Sequence, residues 1–207
     1  MTDQDFYSFT LILEGADILT DEAQDALFEA GCDDATFGAV SGVQVAEFDR
    51  DRREYASYGQ ALLRAMVQLR EAVPDVRIKR VAHSELVTLA DIAKRLDLSN
   101  EYVRLLAAGR RKNDFPPPVA NLDDRSKLYE WRDVQLWATE HLDRADDDGI
   151  QATLVNEAIN ANITLFDVLP LIEETDEPTA KEIRRLLRAR QLPAAAGTPG
   201  DRSRPGM

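Results

Sequence analysis

Asn100 and Arg104, one helical turn apart, and the run Arg110-Arg111-Lys112 just beyond them carry the side chains of this sequence best suited to nucleic-acid chemistry. A guanidinium presents two parallel donors that match guanine O6 and N7, and a carboxamide presents the donor and acceptor that match adenine N6 and N7. Clustered cations neutralise phosphates, which holds a protein on a duplex without reading its sequence. Ser99, Glu101 and Tyr102 complete the polar N-terminal end of the same segment. Taken singly, each of these is an ordinary solvated side chain, and Glu101 is an ordinary acid of a first helical turn. Their joint spacing points to a helix that enters a groove.

The elements that must position them are legible on either side. Thr88 followed by Asp91 has the form of a capping box, and Leu89, Ile92, Ala93 and Leu96 follow at helical spacing. Asp97-Leu98-Ser99 reads as a three-residue turn, with Leu98 plugging the angle and Ser99 capping a second helix over 100–108. Val103, Leu106 and Ala107 form the buried stripe of that helix, and Gly109 closes it. Two short helices around a tight turn, the second followed by a basic cluster, form the arrangement that lays a recognition helix in the major groove. The same hairpin used only for packing or protein contact is the alternative.

Residues 87–137, with VTLADIAKRLDLSNEYVRLLAAGRR, DFPPPV and KLYEWRDVQLWA, resemble the MerR-like winged helix-turn-helix of prophage regulators and excisionases. Phe115, Pro116, Pro118 and Val119 match its F-P-x-P-V element, and Val134 and Trp137 match the end of its W-x-x-x-D/E-V/I-x-x-W helix, with Trp131 two residues later than the first tryptophan of that pattern. The resemblance implies that Phe115, Val119, Trp131 and Trp137 are core, that residues 122–127 form a wing tip, and that the second helix and the wing contact DNA. Asp123 and Asp124 stand where many relatives carry glycine and bases, so phosphate contact by the wing rests on Arg125, Ser126 and Lys127. The chain as a whole is similar to actinobacterial-type proteins described only as helix-turn-helix DNA-binding proteins with an acidic N-terminal module.

Upstream, residues 6–13 alternate Phe9, Leu11 and Leu13 as a strand. A helix capped at Thr20 and stopped at Gly31, strands 35–40 and 43–48 around Ser41-Gly42, a helix over 57–73 and a strand over 76–81 follow. Val43, Val45 and Phe48 are the inward candidates of the third strand, and Leu62, Leu63, Met66, Val67 and Leu69 those of the second helix. The order β-α-β-β-α-β is that of the ferredoxin-like split βαβ unit. Downstream, helices are predicted over 150–161, over 164–174 and from Pro178 to Gln191, the last with Ile183, Leu186 and Leu187 on one stripe. The acidic stretch 141–149 fails as a calcium loop, because Arg144 and Val155 fall where carboxylates are required. The expectation is an α+β chain with an acidic ferredoxin-like module over 1–83, a central winged helix-turn-helix over 84–142, C-terminal helices over 143–192 and a disordered tail over 193–207.

Charge is distributed in blocks along the 207 residues: −11 over 1–75, +4 over 76–132, −11 over 133–177 and +5 over 178–207, for a net −13. A uniformly basic nucleic-acid coat is excluded, whereas a basic centre can still meet DNA over the short reach of screened charge. No apolar run reaches the roughly 20 residues of a membrane span, and the acidic start lacks signal-peptide character, so a cytoplasmic protein with no membrane partner is expected. Cys32, the single cysteine, is expected to be buried and structural. No set of nucleophile, base and metal ligands converges, so the expectation is a non-enzymatic DNA-binding regulator without cofactors or metals that acts on double-stranded DNA as a homodimer. The competing expectation is an interaction adaptor or antitoxin-like partner whose acidic N-terminal module docks another protein.

Overall fold

The computed structural model describes residues 5–83, 85–111, 114–123, 126–142 and 147–190, so the expected contacts of Lys112 and Arg125 and the expected tail lie outside the described residues. The architecture is α+β. The chain divides into two compact units, Met1–Ile163 and Thr164–Met207.

The first unit opens with β1 (Phe6–Gly15), α1 (Asp21–Glu29), β2 (Ala35–Val40), β3 (Val43–Asp51), α2 (Tyr58–Ala72) and β4 (Val76–Val81). Thr20 caps α1 by accepting the Ala23 N–H, and Ser57 caps α2 by accepting the Gln60 N–H. Ser41 and Gly42 both have left-handed backbones, the conformation that matches a two-residue hairpin to the twist of its strands. The four strands form an antiparallel sheet in the order β2-β3-β1-β4.

Side chains alternate along a strand, so Phe9, Leu11 and Leu13 of β1 share one face and meet Ala46 and Phe48 of β3 in the core with Leu27, Leu62 and Leu69. The same alternation corrects the expectation for β3. Residues 44, 46, 48 and 50 lie on one side, so Val43 and Val45 look away from Phe48, and Val43 is exposed. On α2 the inward stripe is Ala61, Leu62, Ala65 and Leu69, while Leu63 and Val67 are exposed, because one helix face spans only part of the circumference.

One cation is drawn into this core. Arg50 is 2% exposed; its guanidinium donates to Gln68 Oε1 and Tyr55 Oη, each at 2.9 Å, pairs with Asp34 at 3.2 Å and lies 4.8 Å from the centre of the Phe48 ring. Cys32 is buried beside it, and loss of solvent pushes its thiol pKa up, the opposite of what a reactive thiolate needs.

The chain continues through β5 (Leu86–Val87), α3 (Leu89–Arg95), α4 (Asn100–Ala107), β6 (Tyr129–Glu130) and α5 (Trp131–Leu142). β5 and β6 pair antiparallel, and Val87, Ile92, Val103, Tyr129, Trp131 and Val134 form a second core. Helix α6 (Asp147–Thr175) is a single helix of 29 residues where two were expected. No glycine or proline interrupts residues 161–164, so nothing forces the backbone out of its hydrogen-bond ladder there. Its first half returns to the N-terminal core through Ala152, Val155 and Ile159, and Asn156 accepts a hydrogen bond of 2.8 Å from the Tyr58 hydroxyl.

Within the second unit, α7 (Glu177–Arg190) follows Asp176, whose carboxylate accepts the Thr179 N–H, and Pro178 takes the second helical position rather than the first. Ala180 is buried, Arg184 pairs with Glu173 and Lys181 with Glu177, while Leu186 stays exposed. No helix among the described residues is long and apolar enough to cross a membrane.

Candidate nucleic-acid interface

The candidate site is built on α3, the turn after it and α4. Thr88 and Asp91 complete the capping box in both directions: the Asp91 N–H donates to Thr88 Oγ at 3.2 Å and the Thr88 N–H donates to Asp91 Oδ2 at 2.9 Å. The Thr88 hydroxyl donates to Asp91 Oδ2 at 2.7 Å, and this bond, with that from the Thr88 N–H, holds the Asp91 carboxyl below the usual aspartate range. Ile92 and Ala93 are buried. The chain turns at Asp97, whose φ is 49°, and the Leu98 N–H returns to the Ala93 carbonyl at 2.8 Å while its side chain packs on the second core.

Ser99 caps α4 by accepting the Tyr102 N–H at 3.2 Å. Val103 and Leu106 face inward, which turns Asn100, Glu101 and Arg104 outward, all exposed. Asn100 and Arg104 are neighbours on one face of the helix, four residues apart. At the end of α4 the Gly109 N–H donates to the Leu106 carbonyl and the Arg110 N–H to the Leu105 carbonyl, each at 2.9 Å, with Gly109 at φ +66°. This is a Schellman closure, and it fixes the direction in which Arg110 and Arg111 leave the helix. Both arginines are exposed, and the Arg111 guanidinium lies 5.4 Å from the centre of the half-buried Tyr102 ring.

Phe115 meets Tyr129 and Trp137 edge-on, with ring centres 5.9 and 5.0 Å apart. Trp131 and Trp137 are buried as expected, but Val119 is 46% exposed and is not core. Phe115 and Pro116 pack inward, whereas Pro117 and Val119 are exposed, because the chain has left the aromatic cluster by Val119 and is held there through its backbone. An isolated bridge joins Ala120 and Leu128, with the Val119 N–H donating to the Leu128 carbonyl at 2.8 Å. Ser126 and Lys127 are exposed immediately before this bridge.

Among the described residues no carboxylate lies within ion-pairing distance of Arg104, Arg110, Arg111 or Lys127, nor of Arg64, Arg70 or Lys94, whereas Arg50, Arg52, Arg53, Arg77, Lys79, Arg80 and Arg132 each hold at least one. Glu101 stands on the candidate face itself, and three further acids lie apart from it. Asp114, Asp133 and Glu140 line an open cleft of about 360 Å³ with Leu136, Trp137 and His141, a setting that repels an anion. Among the described residues no group of three or more His, Cys, Asp or Glu side chains is placed to hold a metal ion. Sequence reasoning missed Arg95, which lies 4.8 Å over the Trp131 ring; no local signal connects residues so far apart in the chain. No family model, no curated protein and no solved structure matches the chain.

Proposed function

We propose that the protein is a non-enzymatic, sequence-specific DNA-binding regulator of the cytoplasm. In this reading α3 and α4 act as the helix-turn-helix of a MerR-like winged domain, and the first six elements act as a ferredoxin-like module. The observation that carries it is the exposed set Arg104, Arg110, Arg111 and Lys127, which have no carboxylate partner among the described residues of a chain of net charge −13. An acidic protein that keeps these cations unneutralised next to a capped, polar-faced helix holds the two ingredients of duplex recognition, phosphate neutralisation and a base-reading face. Asn100 and Arg104 supply base contacts; Ser99, Glu101 and Tyr102 border them; Arg110, Arg111, Lys112, Arg125, Ser126 and Lys127 supply backbone contacts. A homodimer on double-stranded DNA fits this reading, since one short helix covers few base pairs.

The test is fluorescence anisotropy on random genomic duplex across a salt series. The wild type is expected to lose affinity as salt rises, and Arg110→Ala/Arg111→Ala to lower the log–log slope by about two phosphate contacts, roughly 1.8 units. Arg104→Ala should reduce sequence preference more than bulk affinity. Failure of the wild type to bind at low salt would falsify direct recognition. It would favour the second reading, an adaptor whose α1 displays exposed Asp21, Glu22, Asp25 and Glu29 to a basic protein partner.

A further inference from the structure

The two edges of the four-stranded sheet are treated differently. At the β4 edge the side chain of Asn160 replaces a neighbouring strand: its Oδ1 accepts the Val81 N–H at 2.8 Å and its Nδ2 donates to the Val81 carbonyl at 3.0 Å. The same strand carries Arg77, Lys79 and Arg80, the charged residues that discourage edge pairing. The β2 edge has neither device. Its residues, Ala-Thr-Phe-Gly-Ala-Val, include no charge and no proline.

The hairpin register pairs Val40 with Val43, Gly38 with Val45 and Thr36 with Glu47. In a two-residue hairpin these alternate pairs exchange hydrogen bonds, so the N–H and C=O groups of Phe37 and Ala39 point away from β3. Among the described residues nothing receives them; the Ala35 N–H alone is taken, by the Cys32 carbonyl at 3.2 Å.

We propose that β2 is the seam of a homodimer, pairing antiparallel with β2 of a second copy of this chain to make one continuous sheet. A two-fold axis between the two Phe37 residues sets Ala35 opposite Ala39 and Asp33 opposite Ser41, so no carboxylate meets another. That matters in a segment of charge −11 over 1–75, where a charged edge would hold two copies apart. The proposal stands apart from the DNA reading and would hold for an adaptor as well.

The experiment is sedimentation velocity of the full chain, wild type against Ala39→Pro, across concentration and salt. Proline at 39 deletes an N–H that faces away from β3, so the hairpin keeps its own bonds. The wild type is expected at twice 23.2 kDa, with the dimer tightened by added salt as like charges are screened. Ala39→Pro is expected to weaken the dimer by about thirtyfold or more through two lost hydrogen bonds per seam, with unchanged far-UV circular dichroism. Hydrogen exchange on the wild type gives an independent reading: the Phe37 and Ala39 amides should be protected at dimer concentrations and exchange freely on dilution. A wild type that stays monomeric, a dimer indifferent to Ala39→Pro, or amides protected equally in a dilute monomer would each overturn the proposal, the last by placing another strand on the edge.

Discussion

Asn160 shows how much one side chain settles. It reads as one polar residue among several on α6, yet it satisfies both outward backbone groups of Val81. Replacing it by alanine leaves a buried donor and acceptor unpaired, and Asn160→Ala is expected to cost about 1–3 kcal/mol in urea denaturation. A loss below a few tenths would mean that water reaches Val81. Arg50 belongs to the same class. It stands in the run Arg50-Asp51-Arg52-Arg53, where nothing local distinguishes one arginine from the next, and the fold buries it against Phe48, Gln68, Tyr55 and Asp34. The exposed site residues were legible for the opposite reason: once Val103 and Leu106 define the inward stripe, helix geometry turns Asn100, Glu101 and Arg104 outward.

Among the elements, those with local stop and start chemistry stand where the sequence predicts them. Thr20, Ser57, Thr88 and Ser99 each accept the backbone N–H that their cap positions demand. The Thr88–Asp91 box yields a pH prediction. Its hydrogen bonds lower the Asp91 pKa in the folded protein, so the contribution is present above the unfolded value of about 3.9 and is lost as pH falls below it through the folded value. Thr88→Ala is therefore expected to cost about 1 kcal/mol at pH 7, and the gap from wild type should narrow below pH about 4. Equal gaps at pH 7 and pH 3, measured by chemical denaturation, would remove the carboxylate from the account. Elements without such punctuation were misread. The predicted break between 161 and 164 is absent because no glycine or proline stands there and the ladder runs on through Asn162 and Thr164, and Val119, core by the resemblance, is exposed where the chain has left the aromatic cluster.

At the scale of the whole molecule, the first unit draws on residues separated widely in sequence. Arg132 pairs with Glu157 at 2.6 Å, Arg52 with Asp148, and Tyr58 with Asn156, so the first half of α6 serves the units of structure made far upstream. A chain ended after Ile163 is expected to keep a cooperative unfolding transition, since it retains these contacts. A chain ended after Leu142 loses Ala152, Val155 and Ile159 from the core along with Asn156 and Asn160, and is expected to be less stable by roughly 3 kcal/mol or more. Identical urea midpoints for the two would show that α6 packs without stabilising.

From the sequence alone come the α+β composition, the caps, the hairpin at Ser41-Gly42, the strand faces of β1 and the basic cluster after α4. All are carried by residues within a turn or two of one another, where backbone geometry leaves few choices. Tertiary structure alone decided that Arg50 is buried, that Arg104, Arg110, Arg111 and Lys127 have no carboxylate partner among the described residues, and that Asn160 caps Val81 at one sheet edge while none of the described residues receives Phe37 and Ala39 at the other. Those outcomes depend on contacts such as Val81 with Asn160, 79 residues apart. The free energy of such a contact resides in the desolvation and pairing of the two partners together, and neither residue carries it in its own neighbourhood.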